Sequence, residues 1–111
     1  MSALLDKLRR AREFKVEAGG FTFTLLRPTD VEWLEMSSQN TARAILPFVI
    51  GWEGVKELDL IPGGDPHPLP FDRDACGEWL TDRIDLLPAL IEAFVKAYEA
   101  HLGARADAAK N

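Results

Sequence analysis

At 111 residues, 47% hydrophobic and 28% charged, the chain has the composition of one small globular domain with a modest core, which excludes a wholly disordered polymer. A net charge of −5 argues against a general nucleic-acid binder, because neutralising phosphates requires a basic surface. No run of about 18 apolar residues and no leader-like order of charged, apolar and small residues stands at the start, so the expectation is a cytoplasmic protein with no membrane partner.

The single Cys76 has no partner for an internal disulfide. Charge is unevenly spread. Residues 1–27 hold six Lys/Arg against three Asp/Glu and the remainder seven against fifteen, so the amino end is +3 and the rest −8. Neighbouring copies can therefore attract head to tail.

In chain order, residues 1–12 predict an amphipathic basic helix. Leu4, Leu5, Leu8 and Ala11 fall along one side, and Lys7, Arg9, Arg10 and Arg12 elsewhere on the cylinder. A solvated face and a docking arm are both open readings of it. Residues 13–27 change to period two around Gly19-Gly20. A two-residue primed turn there pairs Ala18 with Phe21, Val16 with Phe23 and Phe14 with Leu25, which puts every apolar residue on one face. An isolated hairpin is marginal in water, so that face must cover a helix, and its free edges can add strands from another copy.

Thr29-Asp30-Val31-Glu32 fits a capping box and opens a helix predicted over 29–46, with Val31, Leu34, Ala42, Ile45 and Leu46 as its apolar stripe and Trp33 at the border. Its weakest stretch is SQNT at 38–41, and Pro47 stops it. Residues 48–71 show neither helical nor strand periodicity and read as a long loop that is unusually apolar. Phe48, Ile50, Trp52, Val55, Leu60 and Ile61 are its candidate partner-binding residues. Trp52, flanked by Gly51 and Gly54, suits either a plug in the domain's own core or an anchor for a partner.

Two helices follow over 72–102. Asp72 caps the first, with Phe71 and Cys76 as a hydrophobic staple and Ala75, Cys76, Trp79 and Leu80 inside. Asp85 is the expected cap of the second, whose stripe runs through Leu87, Leu90, Ile91, Phe94, Tyr98 and Leu102, with Glu92 and Lys96 paired on the wet side. Gly103 offers a left-handed stop, near which His101 would meet the helix dipole, and 103–111 reads as a flexible tail. The fold class is thus α+β: a single, mostly helical domain over 1–102 with an N-terminal β-hairpin and three to four helices.

No motif carries catalysis. His67, His101, Cys76, Asp65 and Asp72 lack the close pairing of zinc sites, and no calcium loop is present. Pro62-Gly63-Gly64-Asp65-Pro66 lacks the Lys-Ser/Thr of a phosphate loop and reads as a turn. Asp72, Asp74, Glu78 and Asp82 fall where a capped, solvated helix would place them. Neither cofactor, metal nor enzymatic activity is expected.

The order of elements resembles a known family. A hairpin ending Arg27-Pro28-Thr29-Asp30, a helix, then FVIGWEGV at 48–55, DLIPGGDP at 59–66, PFD at 70–72, EWL at 78–80 and DRIDLL at 82–87 are similar to the small tail assembly chaperones of long-tailed bacteriophages and related prophages. The resemblance covers about residues 13–102 and leaves the basic amino-terminal helix unmatched. It implies a non-enzymatic protein of the bacterial host cytoplasm that coats the long, helical tape-measure protein, helps recruit tail-tube protein, forms homo-oligomers and is shed from the finished tail. A structural virion component, such as a head-tail connector or minor tail protein, is the alternative. The resemblance also implies a longer product made by ribosomal slippage, for which Ala109-Lys110-Asn111 can be encoded as GCA AAA AAC; an ordinary frayed terminus is the other reading.

Overall fold

The computed structural model describes residues 2–37 and 41–110, and the architecture is α+β. A short helix, α1 (Ala3–Arg10), leads into the hairpin β1 (Glu13–Ala18) and β2 (Phe21–Leu26). Pairing follows the register expected from the alternation, Phe14 opposite Leu25, Val16 opposite Phe23 and Ala18 opposite Phe21. Gly19 and Gly20 turn the chain with φ of +59° and +86°. A Cβ at Gly19 would also press on the end of the buried Leu86 side chain, which would have to shift to admit it.

The capping box also forms. Thr29 Oγ1 accepts from the Glu32 amide at 3.2 Å and Glu32 Oε1 accepts from the Thr29 amide at 2.9 Å. The helix it opens is shorter than expected: α2 is Asp30–Met36, and the chain is helical again in α3 (Thr41–Ala44) before a 3-10 turn at Leu46–Phe48. Residues 38–40 of the SQNT stretch lie outside the described residues. The face α2 turns inward is also not the expected one. Val31 and Leu34 are 64% and 71% exposed, while Trp33 stacks on Tyr98 with ring centroids 4.4 Å apart. Trp33 and Met36, three residues apart, share the inward side. A tryptophan ring offers more contact area than Val31 and Leu34 do, so it sets the rotation of so short a helix.

The segment 48–71 is not an irregular loop. It contains β3 (Val49–Glu53), which pairs antiparallel with β2 to give a sheet of order β1-β2-β3, and one turn of helix, α4 (Glu57–Leu60). Thr24 pairs with Gly51 and Leu25 with Val49, leaving Ile50 unpaired in a bulge. This bulge is why no alternation was visible: it lets Val49 and Trp52, an odd number of residues apart, both reach the core.

Below the sheet lie α5 (Arg73–Thr81) and α6 (Leu87–Ala109). Asp72 Oδ1 caps α5 by accepting from the Ala75 amide at 3.0 Å. Asp85 does not cap α6; its carboxylate is held by the Arg83 guanidinium through two bonds of 2.9 Å, and Leu86 occupies the cap position with no side-chain bond. The helix passes through Gly103 and ends at Ala109, where the sequence had predicted a stop and a flexible tail. One glycine costs a helix about 1 kcal/mol, and the alanine-rich residues after it propagate well enough to absorb that cost. The core joins Phe23 and Leu25 of β2, Trp79 and Leu80 of α5, and Leu90 and Phe94 of α6, with Ile45 and Val49 closing it.

Candidate functional site

Of the six candidate partner-binding residues, the structure leaves one on the surface. Trp52 is only 8% exposed, its Nε1–H donates to the Leu69 carbonyl at 3.0 Å, and its ring meets Phe71 and Trp79 edge-on at 5.3 and 6.1 Å. Of the two readings left open for it, the core plug is the one the packing supports. Val55 is buried as well, so neither it nor Trp52 can serve as a surface anchor. Phe48 lies edge-on to Phe94 at 5.1 Å and Leu60 packs against the core, both half-buried, while Ile50 sits half-buried at the bulge. Only Ile61, 58% exposed beside the partly exposed Leu58, presents an open apolar surface. It edges a shallow groove of about 400 Å³ between α4 and α5, whose acidic residues are Glu78 and Asp82.

A larger apolar surface lies at the other end of the chain's fold. None of α1 is buried, although its Ser2 cap is made, Oγ accepting from the Leu5 amide at 3.3 Å. Leu4, Leu5 and Leu8 are exposed, and so are Val31 and Leu34 of α2. Leu5, Leu8 and Val31 border an open groove of about 630 Å³ that α1, α2 and the last third of α6 enclose. The leucine spacing of α1 signals it in the sequence, whereas the helical spacing of Val31 and Leu34 points to the core and the structure exposes both.

The walls of this groove are basic. Arg9, Arg12, Arg27 and Arg105 line it, against one carboxylate, Asp30. Arg12 is fastened in place, its Nε–H donating to the Arg27 carbonyl at 2.8 Å and its Nη2–H to Glu32 Oε1 at 2.9 Å. Burial and then the neighbouring Arg12 charge depress the pKa of the Arg27 guanidinium, with Arg105 adding to the effect against the opposing pull of Asp30. His101, expected beside a helix terminus, instead lies well inside α6 on this groove; burial, then Arg27 and Arg105, hold its pKa down. Asp30 accepts from Tyr98 Oη–H at 2.9 Å and from Arg105 at 2.8 Å, tying the start of α2 to α6. Arg105 and then Tyr98 lower the carboxyl's pKa.

Cys76 is buried, and desolvation pushes its thiol up to about 12, so it is protonated and unreactive in the native state. His67 is exposed and bonds the Asp65 carboxylate within its own turn. Among the described residues no three His, Cys, Asp or Glu side chains are grouped to hold a metal ion, and no helix is long and apolar enough to cross a membrane. What the surface offers chemically is two apolar patches of opposite charge. No protein-family model, curated protein or solved structure matches the chain.

Proposed function

We propose that the protein is a non-enzymatic tail assembly chaperone of a long-tailed bacteriophage or prophage, acting in the host cytoplasm to cover the tape-measure protein and to assist assembly of the tail tube. The observation that carries this reading is the unburied apolar face of α1, Leu4, Leu5 and Leu8, which shares a groove with the exposed Val31 of α2. Apolar residues clustered on one amphipathic surface are the feature a protein needs to shelter an exposed apolar helix of another chain. The family resemblance over residues 13–102, which takes in α2 but not α1, supports it, and the net charge of −5 favours staying in solution while an apolar partner is held.

Co-expression tests the proposal. Tape-measure protein made with this chain is expected in the soluble fraction and in complex with it, and in the pellet when made alone; equal solubility in both cases refutes the chaperone role. Purified particles separate the alternative, since a chaperone is absent from them and a head-tail connector or minor tail protein is present at fixed copy number.

Homo-oligomerisation is part of the same proposal. The sheet ends on β1 and β3, and among the described residues no further strand pairs with either, so a second copy can add there.

A further inference from the structure

The groove between α1, α2 and α6 is both apolar and basic on a protein that is acidic as a whole. Its rim is apolar through Leu5, Leu8 and Val31, and its walls hold four guanidinium groups, of which Arg12 is paired with Glu32 and Arg105 with Asp30. We propose that this groove docks an acidic amphipathic helix of a partner protein, with leucine-like side chains covering the α1 stripe and glutamate or aspartate side chains meeting Arg9 and the rim of the arginine wall. The inference concerns the chemistry the groove selects and holds whether or not the partner is a tape-measure protein.

Charge argues for the acidic partner. Arg12 is paired with Glu32 and Arg105 with Asp30, which leaves Arg9 and Arg27 as the lining guanidinium groups with no carboxylate bonded to them among the described residues, a net positive wall on an acidic protein. An incoming carboxylate adds the missing negative charge, and guanidinium groups donate paired, directed hydrogen bonds to carboxylates. The apolar rim decides the rest. α1 spans eight residues, so it matches two turns of a helix with apolar residues three and four apart.

The geometry also argues against a second copy as occupant. Among the described helices, α5 and α6 turn their large apolar residues into their own core, α4 is a single turn, and Val31 of α2 already forms the rim. No described helix outside the groove presents two acidic turns with an open apolar stripe.

The test uses the full chain and capped synthetic helical peptides of about 16 residues, long enough to approach helical structure, with leucines three and four apart. One peptide carries glutamate at the flanking positions and the other lysine. The expected result is saturable binding of the glutamate peptide by calorimetry, weakened by added salt, and at least about tenfold weaker binding of the lysine peptide. Leu8→Ser and Arg9→Glu, both at exposed positions, are each expected to weaken the glutamate peptide about tenfold while leaving thermal unfolding unchanged. Equal binding of the two peptides, no binding of either, or indifference to both substitutions overturns the proposal. Sedimentation supplies the remaining arm: if the protein self-associates and Leu8→Ser makes it monomeric, the groove is filled by another copy and the proposal is wrong.

Discussion

At Trp52 the indole ring and its N–H meet different requirements, and substitutions can separate them. The ring fills space between Phe71 and Trp79, and the N–H satisfies the Leu69 carbonyl, fastening the 62–71 return to β3. Trp52→Ala removes both and is expected to destabilise the fold by about 3–5 kcal/mol, measured by urea unfolding. Trp52→Phe keeps most of the ring and loses the hydrogen bond, for a smaller cost of about 1–2 kcal/mol. A folded Trp52→Ala protein of native stability would return Trp52 to the surface role that the sequence left open. Cys76 gives a second test at this scale. Burial holds its pKa near 12, so the native protein should resist iodoacetamide at neutral pH and react fully once unfolded. Alkylation of the folded protein at the rate of a free thiol would contradict the buried position.

Two elements depend on contacts that the chain makes far from them in sequence. α2 is held to α6 by the stacked Trp33 and Tyr98 rings and by the Asp30 carboxylate, which receives Tyr98 and Arg105. The folded pKa of Asp30 lies below its unfolded value, so its contribution is present above the unfolded value, about 4, and is lost as pH falls through the folded one. Asp85 and Glu92 are lowered in the same direction, by Arg83 and Lys96 respectively, so the variant must isolate one group. Asp30→Asn is expected to be less stable than wild type at neutral pH, with the difference closing below about pH 4; a difference that persists unchanged in acid would show that the carboxylate charge is irrelevant. α6 offers the second case. Gly103 lies inside it, and a Cβ there would meet nothing within 4 Å. Gly103→Ala should therefore stabilise the protein by about 0.4–1 kcal/mol and raise the melting temperature by a few degrees. A fall in melting temperature would mean that the helix does not continue through this position.

For the molecule as a whole, two features bear on association: charge and open sheet edges. The amino end is +3 and the remainder −8, while β1 and β3 leave backbone groups at the margins of the sheet. Sedimentation over a range of concentration and salt distinguishes them, since pairing of sheet edges resists screening and charge-driven contact weakens with it. A strictly monomeric profile at high concentration and low salt would end the proposal that the protein forms homo-oligomers. The two apolar patches, Leu58 with Ile61 and the α1–α2 surface, carry opposite charge at their margins, so one partner segment is not expected to satisfy both.

Local chemistry in the sequence determined the hairpin and its register, the capping box at Thr29, the Asp72 cap and the apolar stripe of α6 from Leu87 to Tyr98. Each rests on residues near one another in the chain, where alternation, turn glycines and hydroxyl or carboxylate caps act with little help from outside. Tertiary structure alone decided the rest. The Ile50 bulge broke the alternation that would have revealed β3, because its purpose is to bring Val49 and Trp52 to one face. Trp33 overrode Val31 and Leu34 in setting the face of α2, since Tyr98, which it stacks on, lies 65 residues away. The basic groove was hidden for the same reason: Arg12, Arg27 and Arg105 are scattered over most of the chain, and the packing of α6 against the hairpin brings Arg105 within reach of Arg27.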